Sequence, residues 1–293
     1  MNRIHVIQTL FHLLKIPMFT GVLLTSSAIL GDTYPSLNED QVLWLGEQIY
    51  KNECNSQPAC LTAWNEGEDF PSMGIGHFIW YQENQQEIFT ESFPDLILFM
   101  RRSDIEIPEW VMTTNLEAPW QDRKSFLADV SSERMTELRS FLASHPREQA
   151  NFIIDRFEDS LAAILDSATS DQKDIDSEQD IDSLQMQIQE NFYKVAGSHA
   201  PYGLYALIDY VNFKGTGVSP FETYNGQGWG LKQVLLEMED LDELTELPNS
   251  LQAFAEAAKK VLARRVENAP EQRNENRWLT GWNNRLETYL PPL

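Results

Sequence analysis

Apolar residues recur at spacings of three and four along most of this chain, the pattern of helices that bury one face. The first clear case runs from Leu37 to Glu53. Asn38 suits an N-cap, and Glu39 and Asp40 favour the positive end of the helix dipole. Val42, Leu45, Ile49 and Glu53 share one stripe, so an acid sits on the face that should turn inward. Asn55 to Pro58 end that pattern. Residues 67–77, rich in glycine and acids and then apolar, predict a hairpin. Residues 92–165 predict helices interrupted at Pro94, Pro108, Pro119 and Pro146, with FIIDRFEDSLAAIL at 152–165 strongly amphipathic. Helical patterns return at 184–196, 201–212, 229–239 and 250–267, and glycines crowd 215–230. The tail is aromatic and ends in prolines. The expected class is α+β, mainly α, with a small β-hairpin lobe.

Composition adds two things. Of 293 residues, 42% are hydrophobic and 11% aromatic, enough for a core and too many for a disordered chain. The net charge of −23 opposes a nucleic-acid surface, which needs a basic stripe, and opposes adhesion to anionic lipid. Part of it is local: 166–182 carries seven acids and one lysine, and is read as a solvated linker or loop. That run lacks the glycine of a calcium loop.

The N-terminus reads as an export signal covering 1–31, with retention as an inner-membrane anchor as the alternative. Arg3 and Lys15 precede an apolar run, IPMFTGVLLTSSAILG, that is short for a membrane span. Cleavage would take the net charge to −25. Periplasmic or secreted placement follows, in an oxidising compartment, and there Cys54 and Cys60 are expected to form a small disulfide loop. Two cysteines without a nearby ligand partner do not make a zinc site, so no metal or other cofactor is expected.

The segment WNEGEDFPSMGIGH, Trp64 to His77, packs three acids, a serine and a histidine close behind Glu53. A carboxylate on an inner helix face must be paired or kept protonated, and a raised pKa is what a general acid needs. A second carboxylate nearby completes the two-acid logic of glycoside hydrolysis.

SMGIGH, Ser72 to His77, resembles the TIGYGH or TIGIGH signature of phage-type lysozymes. ALIDYVNFKGTG at 206–217 is similar to that family's ALVSFAFNVGxG helix, followed by GWGLKQVLLEM, and LARRVE at 262–267 is similar to its L-x-x-R-R-x-x-E. The matches follow the family's order and cover about 37–81 and 200–268. The resemblance implies a lysozyme-like domain over 37–290, with 85–198 an inserted, mostly helical block containing the acidic loop. By position it implies Glu53 as catalytic acid, Glu66 as second carboxylate in place of the family's Asp, and Ser72 in place of its Thr. Glu68 and Asp69 are alternatives for the second carboxylate. The interval from Glu53 to Glu66 exceeds the family's, and the excess falls at the Cys54–Cys60 loop. His77 is expected to stiffen the site by bonding Glu53 or the hairpin. Gly74 and Gly76 are expected to let the hairpin pack closely against a helix.

Tyr224, Asn225, Gln227 and Trp229, in YNGQGWG, are expected to line the cleft, with Trp64, Trp80 and Tyr81 as further sugar platforms. The implied activity is cleavage of the N-acetylmuramic acid–N-acetylglucosamine bond in peptidoglycan glycan strands. The alternatives are a lytic transglycosylase or chitosanase-like enzyme, and a non-catalytic lysozyme-like protein that binds cell wall or a partner. No nucleic acid and no membrane beyond the N-terminal segment is expected as partner. A chain this acidic gains no attraction to an anionic wall, so its activity on sacculi is expected to change little with added salt. Activity that falls steeply across a salt series would contradict this.

Overall fold

The computed structural model describes residues 36–87, 89–170, 178–238 and 250–292. The expected signal segment and the centre of the acidic linker lie outside these. Helix α1, Glu39–Cys54, begins at the expected cap: the Asn38 side chain accepts from the Gln41 N–H, and Gln41 returns the bond to the Asn38 N–H. Val42, Leu45 and Ile49 are buried, as their spacing requires. Asn55 in left-handed geometry ends the helix, and Cys54 bonds to Cys60.

A short 3-10 turn leads into a three-stranded antiparallel sheet. Its strands are β1, Thr62–Ala63, β2, Ser72–Met73, and β3, Phe78–Ile79, in that order across the sheet. The hairpin predicted over 67–77 is found shifted toward the C-terminus, as the β2–β3 pair over 72–79, with Ser72 opposite Ile79. Then follow α2 (Phe93–Arg102), α3 (Glu109–Thr113), α4 (Arg123–Asp129), α5 (Glu133–Ser144), α6 (Pro146–Glu158), α7 (Ser160–Ser170) and α8 (Glu178–Ala196). Three of the prolines thought to interrupt helices instead open them. Pro94 and Pro146 lie in first turns and Pro108 is a cap, where no backbone N–H is needed. The amphipathic stretch 152–165 is two helices that meet at Asp159. Helices also enter the acidic run from both ends, since α7 reaches Ser170 and α8 starts at Glu178. Asp180 in the first turn of α8 suits its dipole.

The rest comprises α9 (Tyr202–Lys214), a hairpin of β4 (Thr223–Tyr224) and β5 (Gln227–Gly228), α10 (Leu231–Glu237), α11 (Ser250–Asn268) and α12 (Asn276–Glu287). The aromatic tail, for which no element was predicted, is helical over α12. The protein is mainly α with small antiparallel sheets, and among the described residues no helix is long and apolar enough to cross a membrane. One continuous apolar core joins α1, the hairpin, the middle helices and α9–α12.

The hairpin packs on α6. Gly74 has φ +74°, and a Cβ there would collide with Gln149, while one on Gly76 would meet Phe78 and Ile153. Gln149 is fully buried. Its carbonyl accepts from the Ile75 N–H at 2.9 Å, and its amide donates to Leu142 O and His145 O. One side chain thus satisfies the tight turn and the start of α6. Gln149→Ala strands the Ile75 N–H and removes one of two bonds from Leu142 O and His145 O, which keep their backbone donors, and a stability loss on the order of 2–3 kcal/mol is expected in urea unfolding. A near-neutral result would show that the turn does not depend on this contact.

Candidate active site

Glu53 projects from the last turn of α1, and its side chain is only 15% exposed. Its pairing is more extensive than its sequence position discloses. Arg285 of α12 donates to Oε1 at 2.7 Å, Asn212 of α9 approaches the same oxygen at 3.4 Å, and His77 Nδ1 lies 3.6 Å from Oε2. Arg285 also grips the wholly buried Asp209 with two bonds of 2.8 Å, and Tyr289 donates to that carboxylate. Burial by itself pushes the Glu53 carboxyl up. The Arg285 charge, His77, the hydrogen bond from Arg285 and the charge of Lys214 together outweigh it, and Glu53 is held below the usual carboxylate range. The expected raised pKa at Glu53 is therefore reversed in direction, because a guanidinium from the end of the chain reaches it.

Lys214 closes the back of this cluster, its ammonium 3.5 Å from the Trp282 ring centroid and 3.9 Å from that of Phe213. Burial, reinforced by Arg265 and Arg285, sets its pKa well below the ordinary lysine value.

His77 bridges two parts of the site. Its Nε2 lies 3.1 Å from Cys60 Sγ and 3.5 Å from Cys54 Sγ, while its other nitrogen faces Glu53. The disulfide and the hairpin thereby converge on the C-terminal end of α1, beside Glu53. These three residues bring donor atoms within 4.8 Å of one another. The two sulfurs are bonded to each other, however, and so present no thiolate to a metal.

Glu53 faces a groove of about 970 Å³. Ser72, His77, Glu66, Glu68 and Asp69 line the same groove, so the structure brings together all three residues expected to be catalytic. They are not equivalent. Glu66 and Asp69 are exposed, whereas Glu68 is half-buried and accepts from Asn65 Nδ2 at 3.1 Å. Burial raises the Glu68 pKa. Asn65 and His77 oppose the rise, the negative charge of Glu53 adds to it, and the balance is upward. Ser72 is buried, and among the described residues its hydroxyl has no hydrogen-bond partner, leaving it free toward the groove.

The aromatic expectations fail in an instructive way. Trp64 is 5% exposed and serves as a brace: its indole N–H donates to Glu68 O at 2.7 Å, and its ring packs on Phe126. Trp80, Tyr81 and Trp229 are buried too, Trp80 among Phe93, Trp110 and Trp120. The 224–230 hairpin is not part of the groove lining. Tyr224 donates to Glu275 at 2.8 Å and stacks on Trp229, Asn225 donates to Asn268, and Gln227 is exposed outside the groove. Arg265 over Trp229, 4.1 Å from its centroid, and bonded to Glu275 holds this hairpin against α11 and α12 instead. The groove's aromatic wall comes from Trp278 and Phe213, with Phe89 beside the acidic loop. Trp278 and Phe89 are 42% and 40% exposed. Arg273 and Arg277 stand on the same wall as Trp278, with Arg277 4.3 Å from the Trp278 centroid. Alternating aromatic and basic residues in the tail were the only sequence signal for this wall.

Comparison with protein-family models, curated proteins and solved structures returned no match.

The depressed Glu53 pKa links the site to stability. Its pair with Arg285 contributes fully above the unfolded carboxylate pKa and is lost as pH falls through the lower folded value. Urea unfolding across about pH 3 to 6 should show a steep acid decline in the wild type and a shallower one in Glu53→Gln. Parallel declines would mean that the Glu53 pKa is not lowered in the folded protein.

Proposed function

We propose that this protein is a glycoside hydrolase of lysozyme-like architecture that cleaves the bond between N-acetylmuramic acid and N-acetylglucosamine in peptidoglycan strands outside the cytoplasm. The observation that carries the reading is that two carboxyl groups, Glu53 and Glu68, share one open groove in opposite electrostatic environments. Acid and base assignments follow from such a split. Glu68, biased toward the protonated form, gives its proton to the glycosidic oxygen, which leaves with the bonding pair. Glu53, held ionised by Arg285, faces the positive charge on the sugar ring and accepts the proton of the attacking water. The roles are thus exchanged relative to those implied by sequence position, with Glu68 taking the place assigned to Glu66.

Ser72 supplies a free hydroxyl beside Glu53 for water or substrate. His77 is a positioning residue that holds Glu53 from the side opposite Arg285. Trp278 and Phe213 offer faces on which sugar rings stack. Arg273 and Arg277 suit the carboxylates that muramic acid and its peptide carry. The acids on one side and the arginines on the other favour a strand that presents its anionic substituents toward α12.

Release of reducing ends from purified sacculi tests the roles. Glu53→Gln and Glu68→Gln should each lower kcat by about 100-fold or more, and Glu66→Gln should change it little. Asn65→Ala removes a bond that favours ionised Glu68, so the Glu68 pKa rises and the alkaline limb of kcat/KM moves to higher pH. Full activity in Glu68→Gln, or an unmoved limb in Asn65→Ala, refutes the role given to Glu68. Full activity in Glu53→Gln refutes the hydrolase site altogether. Products with 1,6-anhydro ends would identify a transglycosylase instead.

A further inference from the structure

A second cavity, of about 290 Å³, lies behind the groove, and Asn212 lines both. Its walls carry one cation and one anion, Arg156 of α6 and Glu222 in the loop after α9. Among the described residues neither makes an ion pair, with the other or with any third group, and the Arg156 guanidinium lies over the Phe152 ring, 5.7 Å from its centroid. Arg156 is exposed at the cavity's edge, whereas Glu222 is half-buried, and burial pushes its carboxyl up. Ser160 adds a hydroxyl that opens onto the cavity. It is 4% exposed, lines the cavity, and its hydroxyl has no partner among the described residues. Ile153 and Val211 provide an apolar floor.

The Glu222 carboxylate is held close to the chain. A Cβ on Gly215, which has φ +80°, would come within 3.1 Å of its Oε2. The Gly215–Thr216 backbone is pinned to the start of α10, with Gly215 O accepting from Leu231 N and Thr216 O from Lys232 N. The backbone wall is thus set in place without a ligand, while Glu222 and Arg156 are left without ion pairs.

We propose that this cavity binds an α-amino-acid zwitterion, with Arg156 and the Ser160 hydroxyl taking the carboxylate and Glu222 the ammonium group. A molecule with both charges on one carbon and a short aliphatic side chain compensates both walls and fills the apolar floor. Two sources share this chemistry: a free amino acid, or the zwitterionic end of a peptide branch on the glycan strand lying in the adjoining groove. The second source rests on the hydrolase reading above, whereas the binding itself does not.

Calorimetric titration of the full chain with alanine, N-acetylalanine, which lacks the ammonium group, and alaninamide, which lacks the carboxylate, tests the proposal. Alanine should bind with a Kd of about 1 mM or below, and each blocked form at least about 10-fold more weakly. Arg156→Met should weaken alanine binding and erase its advantage over alaninamide. Glu222→Gln should erase the advantage over N-acetylalanine. A residue that only supports the fold would weaken all three probes alike. No alanine binding, equal binding of the blocked forms, or selectivity unchanged in both variants overturns the proposal. If the source is a peptide branch, Arg156→Met raises KM on peptide-bearing strands and leaves peptide-stripped strands unaffected. If it is a free amino acid, both substrates respond alike. Should the protein cleave no wall at all, the alanine titration still decides the site.

Discussion

The buried guanidinium of Arg285 is the constraint on which the site depends. It joins three segments distant in sequence: Glu53 at the end of α1, Asp209 in α9, and its own helix α12. Two carboxylates around one cation in a nearly dry setting are tolerable only because the remaining lone pairs are also occupied. Tyr289 donates to Asp209, and Asn52 donates to Tyr205, whose hydroxyl is linked in turn to Thr288. Removing the cation would leave two buried negative charges, so the end of the chain is as much a part of the site as the signature-bearing hairpin.

A second framework holds the acidic loop. Arg123 of α4 donates to Trp64 O at 2.8 Å, Trp64 packs on Phe126 of the same helix, and its indole fixes Glu68 O. The middle helices therefore position Glu68 from behind. Their own anchor is the aromatic cluster around Trp80 and Trp120, with Arg134 and Trp120 both bonded to Asp129. An indole in such a setting serves packing and hydrogen bonding rather than sugar stacking.

These two frameworks create the electrostatic division of the groove. Glu53 sits against fixed positive charge, while Glu68 sits against partial burial and the field of Glu53. Neither state depends on the large net charge of −23. What matters to the chemistry is which acid has a cation behind it, a local property that summed charge does not register.

The amino-acid sequence by itself determined the helices with strong apolar periodicity, the cap at Asn38, a hairpin near β2–β3 and the disulfide. Each of these depends on local spacing: a 3.6-residue period, a turn between short strands, or a small loop between two cysteines. Tertiary structure decided which acid is ionised, which aromatics face the groove and what the middle helices support. Arg285 lies 232 residues from Glu53, and nothing in either local pattern specifies that contact. Likewise a tryptophan reads the same in sequence whether its ring enters the core, as Trp64 and Trp229 do, or lines a groove, as Trp278 does. Burial and ion pairing are properties of elements brought together across the chain, and they set the pKa values on which the proposed chemistry rests.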